Sequence, residues 1–116
     1  MIKRRTIIAI TACLLGSGPT MAGNVAHERL AQLPPDQQAL SLGRAVGEGC
    51  QGKVAFLMGL GTQGIAKDQA FWNVMCADGR SFEVMIAPDA AGSTTVIECQ
   101  VLQAMGGGTC FKKFPK

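Results

Sequence analysis

The stretch "FWNVMCADGRSFEVMI", residues 71–86, decides the fold. Aromatic and aliphatic residues fill both halves, and Asp78-Gly79 stands between them. That composition predicts two antiparallel strands joined by a tight turn. A two-residue type I′ turn needs positive φ at both central positions, which Asp-Gly tolerates. With Asp78-Gly79 as the loop, Ala77 is expected to face Arg80, Cys76 to face Ser81, Val74 to face Glu83 and Trp72 to face Met85. The other set, Phe71, Asn73, Met75, Phe82, Val84 and Ile86, is the more apolar and is expected to face the core. Trp72, Val74 and Met85 then form an apolar cluster on the outer face, a candidate interaction patch rimmed by Glu83. The alternatives are that segment 24–33 covers this cluster or that the two faces are exchanged.

Working outward, "KVAFLMG" (residues 53–59) reads as a short apolar strand, with a glycine-bearing loop over 60–69. The hairpin strands are expected over 70–76 and 80–87, with Pro88 ending the second. "TTVIECQVL" (94–102) reads as a fourth strand, followed by a glycine corner and a short tail. Before the strands, "NVAHERLAQL" (24–33) predicts a helix with Asn24 as a candidate N-cap, stopped by Pro34-Pro35. A second helix is expected over 36–46, with Leu40, Gly43 and Val46-Gly47 on one face. Gly43 inside it points to close approach of helix and sheet. The order is an α+β fold: N-terminal helices packed on a four-stranded antiparallel meander as a two-layer sandwich, disulfide-stapled. The expected organisation is a signal peptide over 1–22, a helical segment over 23–47 and a sheet over 48–116, the last two forming one domain.

The N-terminus carries the compartment argument. Lys3-Arg4-Arg5 precedes an apolar run, "TIIAITACLLG", too short to span a membrane but suited to a signal peptide. "SGPTMA" follows, and Thr20 and Ala22 suit the −3 and −1 positions of a signal peptidase site. Cleavage after Ala22 and a periplasmic or secreted protein are expected. "ITAC" (10–13) also fits a lipobox, so a lipid-anchored envelope component through Cys13 is an alternative. Against it, Leu14 and Leu15 continue the apolar run past the cysteine. Membrane attachment is expected only by that route. The whole chain has eleven Lys and Arg against eight Asp and Glu, for a net charge of +3. Three of the basic residues lie within 1–22, so the remainder is balanced at zero. Such a domain offers no electrostatic footprint for nucleic acid.

Export fits the cysteines. Four of the five lie after residue 22, an even set. The meander gathers Cys50, Cys76 and Cys99 at one end of the sheet. Cys76 and Cys99 are two strands apart and on opposite faces, so Cys50–Cys76 and Cys99–Cys110 are the expected bonds. Each is worth roughly 2.5–3.5 kcal/mol in the chain-entropy model. Zinc is disfavoured because no Cys-x-x-Cys knuckle is present. No cofactor is expected.

Catalytic signals are sparse. His27 is the only histidine and is expected to be a solvated helix residue beside Glu28. Glu83 and Glu98 are expected on the polar sheet face, where they could converge as a carboxylate pair. Gly106-Gly107-Gly108 lacks the following helix and Gly-Lys-Ser/Thr of a phosphate loop and reads as a corner. The tail "FKKFPK" alternates aromatic and basic residues and is a second candidate for binding; the alternative, packing by Phe111 beside Cys110 with solvated lysines, is the expected one.

The pattern Trp72-x-Val74-x-Cys76-x-Asp78-Gly79-Arg80, then Cys99, then Cys110-Phe111, resembles small exported proteobacterial proteins of unknown function. The resemblance covers about residues 48–114 and implies no activity. The helix-then-sheet order is similar to PepSY and beta-lactamase-inhibitor-protein modules at the level of topology, which implies little about function. The expected function is a non-enzymatic periplasmic interaction or accessory module whose partner is an envelope protein. The alternative of another class is a small enzyme or ligand-binding protein using Glu83 or Glu98.

Overall fold

The computed structural model describes residues 23–115. The first 22 residues, which hold the expected signal peptide and Cys13, lie outside the described part. Helix α1 spans Val25–Ala31 and helix α2 spans Pro35–Val46. Strands follow at Gly52–Leu60 (β1), Ala70–Cys76 (β2), Ser81–Ile86 (β3) and Thr94–Glu98 (β4). A short 3-10 turn, Gly64–Ala66, lies between β1 and β2. A third helix, α3, spans Cys99–Ala104. The strands form one antiparallel sheet in the order β1-β2-β3-β4, so the fold is an α+β meander with two helices leading and a short one following.

Asn24 caps α1 by accepting the His27 N–H at 3.0 Å. Its amide also donates to the Ile86 and Asp68 carbonyls at 2.8 and 2.9 Å, so the cap locks the helix to the sheet. Pro35 opens α2, where its missing N–H costs nothing. Ala39, Leu42 and Gly43 are its buried face; Leu40, expected there, is exposed. The close approach at Gly43 is real. A Cβ there would lie 2.7 Å from the Gly52 nitrogen and 2.9 Å from the Cys50 carbonyl. Gly52 is tighter still, since its Cβ would overlap the Ala39 carbonyl.

The hairpin register differs from expectation by one residue. Trp72 faces Val84, Asn73 faces Glu83, and Val74 faces Phe82. Gly79 has φ +94° while Asp78 stays on the negative side, so a type I′ turn is ruled out. Instead the Gly79 N–H donates to the Cys76 carbonyl and the Cys76 N–H donates to the Arg80 carbonyl. Ala77, Asp78 and Gly79 thus make a three-residue loop, a type I turn closed by a left-handed glycine. Asp78 drives this choice by accepting the Arg80 N–H at 3.1 Å and its guanidinium at 2.8 Å. Because side chains alternate with period two, a one-residue slip exchanges the partners of every residue.

The core therefore contains Trp72, Val74 and Cys76 together with Phe82, Val84 and Ile86, under Leu30 and Leu42 of the helices. The faces expected for β2 are exchanged. The proposed patch of Trp72, Val74 and Met85 does not exist as a surface: Trp72 is 3% exposed and Val74 fully buried. Met85 stands opposite Phe71 on the other side of the sheet.

Two further expectations are corrected. The fourth strand stops at Glu98, and Cys99–Ala104 is helical rather than extended. Both disulfides are present, Cys50–Cys76 and Cys99–Cys110. Cys76, however, points into the helix-side core rather than away from it, so Cys50 reaches it from the same side.

Candidate functional site

Four places collect chemically capable groups: the Trp72–His27 contact, the buried Asn73–Glu83 pair of positions, the groove at the turn end, and the C-terminal segment.

His27 is not solvated. It is 7% exposed, and its Nδ1 accepts the Trp72 indole N–H at 3.0 Å. Accepting at Nδ1 assigns the proton of the neutral ring to Nε2. Burial lowers the imidazole pKa, and the nearby Glu28 carboxylate opposes that only in part. The indole N–H thus has its partner, and the covering segment is α1. No pattern along the sequence pairs residues 45 positions apart, so this contact was invisible to it.

On the opposite face, Asn73 is fully buried. Its Nδ2 donates to the Trp72 carbonyl and the Met58 sulfur, and its Oδ1 accepts the Phe111 N–H at 2.6 Å. Glu83 lies directly across from Asn73 and is 5% exposed. Among the described residues its carboxyl has no hydrogen bond or ion pair, and burial raises its pKa above the ordinary carboxylate range. Glu98 pairs with Phe82 in register, and Glu83 with Ile97. Glu83 and Glu98 therefore lie on opposite faces of the sheet and do not converge.

The turn end holds mixed charge. A groove of about 240 Å³ is lined by Asp78, Arg80, Ser81, Glu98 and Gln100. Its cation is already engaged: Arg80 binds Asp78, donates to the Glu48 carbonyl at 3.0 Å and stacks over Phe82. The Asp78 pKa is held low, first by the Arg80 backbone N–H and then by its guanidinium. Among the described residues no three His, Cys, Asp or Glu groups cluster as a metal site would require.

The C-terminal segment returns across the face opposite α1 and α2. The Cys99–Cys110 bond starts the return. Phe111 packs at a tilt against Phe56, and Phe114 packs edge-to-face against Phe71, at 6.0 and 5.3 Å between ring centroids. The Phe114 N–H donates to the Met58 carbonyl at 2.9 Å, which pins the tail along β1. A Cβ at Gly59 would collide with the Phe114 ring, so that glycine makes room for it. Phe111 has φ +62°, a strained position held between the disulfide and the Asn73 bond. Lys113 places its ammonium 5.5 Å over the Phe56 ring.

Between β1 and this tail lies an open cleft of about 590 Å³. Met58, Phe114 and Pro115 supply apolar walls, Lys112 and Lys113 the charge, and the Gly107-Gly108-Thr109 corner one side. The alternation of aromatic and basic residues in "FKKFPK" was the sequence signal for it. Compared with known proteins, the chain matches no family model, no curated protein and no solved structure.

Two disulfides are compatible with an oxidising compartment outside the cytoplasm. No helix among the described residues is long and apolar enough to cross a membrane.

Proposed function

We propose that this chain is exported, loses residues 1–22 after Ala22, and serves in the cell envelope as a non-enzymatic accessory module that holds a partner molecule. The observation that carries this is the cleft under the C-terminal tail. A disulfide, two aromatic contacts and a backbone hydrogen bond hold the tail against the sheet, yet the space beside it stays open. A cleft of about 590 Å³ lies within the roughly 300–1,000 Å³ range of ligand sites. The binding surface is thus on the side of the sheet away from Trp72. The rival carboxylate chemistry loses its geometry, since Glu83 and Glu98 sit on opposite faces.

Photo-crosslinking in the intact envelope tests the proposal. A benzophenone side chain replaces Thr109 at the cleft or, as control, Ile65 at a fully exposed loop position. The expected result is a mature species beginning at Gly23 that carries one discrete added mass from position 109 and none from 65. No adduct at 109, or equal adducts at both, overturns the binding role. Retention of residues 1–22 overturns export, and a diacylglyceryl mass on Cys13 replaces it with lipid anchoring.

A further inference from the structure

The cleft combines apolar walls with charged side chains of one sign among the described residues. Among the described residues, Lys112 and Lys113 are the ionisable ones lining it, and both are exposed. Neither is in an ion pair among the described residues. The backbone N–H groups of Gly108, Thr109, Lys112 and Lys113 likewise donate to no acceptor among the described residues. Beside these donors lie Met58, Phe114 and Pro115. We propose that the cleft binds an anionic amphiphile with a single alkyl chain, of the fatty-acid type. Its headgroup meets the two ammonium groups and the free N–H donors, and its chain lies against Met58 and Phe114.

The inference rests on the binding role proposed above and names the ligand. Three features select this class. Lysine ammoniums act as point charges, so the site recognises negative charge without demanding the planar fork geometry that arginine reads. The methionine thioether adapts its shape to a flexible chain. The cleft volume lies within the range of sites that hold one small ligand.

Calorimetric titration of the disulfide-bonded protein purified from the envelope tests it. Laurate below its micelle concentration is compared with dodecyltrimethylammonium, which has the same chain length and opposite charge, and with acetate, which has the headgroup alone. Laurate is expected to saturate at one per protein, the cation to bind at least about tenfold more weakly, and acetate not to bind. Lys112→Glu with Lys113→Glu should weaken laurate by about tenfold or more, the scale of two exposed charge contacts reversed. The melting temperature should fall by less than about 8 °C, because neither side chain is buried and only the exposed Lys113–Phe56 contact is lost. Equal binding of both amphiphiles, laurate binding indifferent to the double substitution, or no saturable binding each overturns the proposal. A protein adduct at position 109 without laurate binding keeps the module and removes the lipid-like ligand.

Discussion

Replacing Trp72 should be among the most costly changes in this protein. The indole is 3% exposed in the helix-side core, and its N–H is bound to the Nδ1 of the buried His27. Trp72→Ala removes the ring and leaves a cavity, at about 3–5 kcal/mol by the large-to-small rule. For a domain of this size each kcal/mol shifts the melting temperature by roughly 4–8 °C. Trp72→Phe keeps most of the apolar contact but leaves the His27 nitrogen without its donor, at about 1–3 kcal/mol. Urea unfolding of the oxidised protein, followed by circular dichroism, measures both. A pH arm isolates the imidazole. His27 has its folded pKa depressed below the ordinary 6.5. Its contribution is therefore full above pH 6.5 and is lost as pH falls through the folded value. His27→Gln retains an acceptor and does not titrate, and no other histidine exists to take its place. The wild type should lose more stability than His27→Gln between pH 7.5 and 5. A Trp72→Ala cost below about 1 kcal/mol, or identical pH slopes in the two proteins, would refute the reasoning.

Glu83→Gln should act in the opposite pH direction. The Glu83 pKa is raised by burial, so its stabilising share is present at low pH and lost as pH rises through the folded value. The amide should therefore stabilise the protein near pH 8 by about 1 kcal/mol, the scale of a buried polar group without a partner, and by much less near pH 4; equal effects at both pH values would contradict an unpartnered buried carboxyl. Joint replacement of Cys99 and Cys110 by alanine removes a bond of sequence separation 11 and should cost about 3 kcal/mol. It should also speed tryptic cleavage at Lys112 and Lys113; unchanged cleavage would show that the aromatic contacts and backbone hydrogen bonds hold the tail without the disulfide.

Much of the architecture was legible because it is local. The Asn24 cap, the Pro34-Pro35 break, the bounds of β2 and the end of β3 before Pro88 all follow from propensity and capping chemistry over a few residues. The meander order follows from short connections between strands. The disulfide pairing followed from which strand ends the meander brings together, even though the side assigned to Cys76 was reversed.

What the sequence could not determine were the choices settled by contacts across the fold. Asp78-Gly79 is compatible with a two-residue or a three-residue loop, and the difference is one residue of register. Asp78 bonding to Arg80 and the burial of Trp72 beneath α1 select the longer loop. Apolar content could not break the tie between the faces, because both are covered: one by α1 and α2, the other in part by the returning tail. Cys99–Ala104 reads as β-prone locally but is helical, with Leu102 buried and the chain turned back to the Cys110 bond. The candidate site has the same origin. Met58 and Lys113 are distant in sequence, and only the folded-back tail, seated in the space that Gly59 leaves, makes them walls of one cleft.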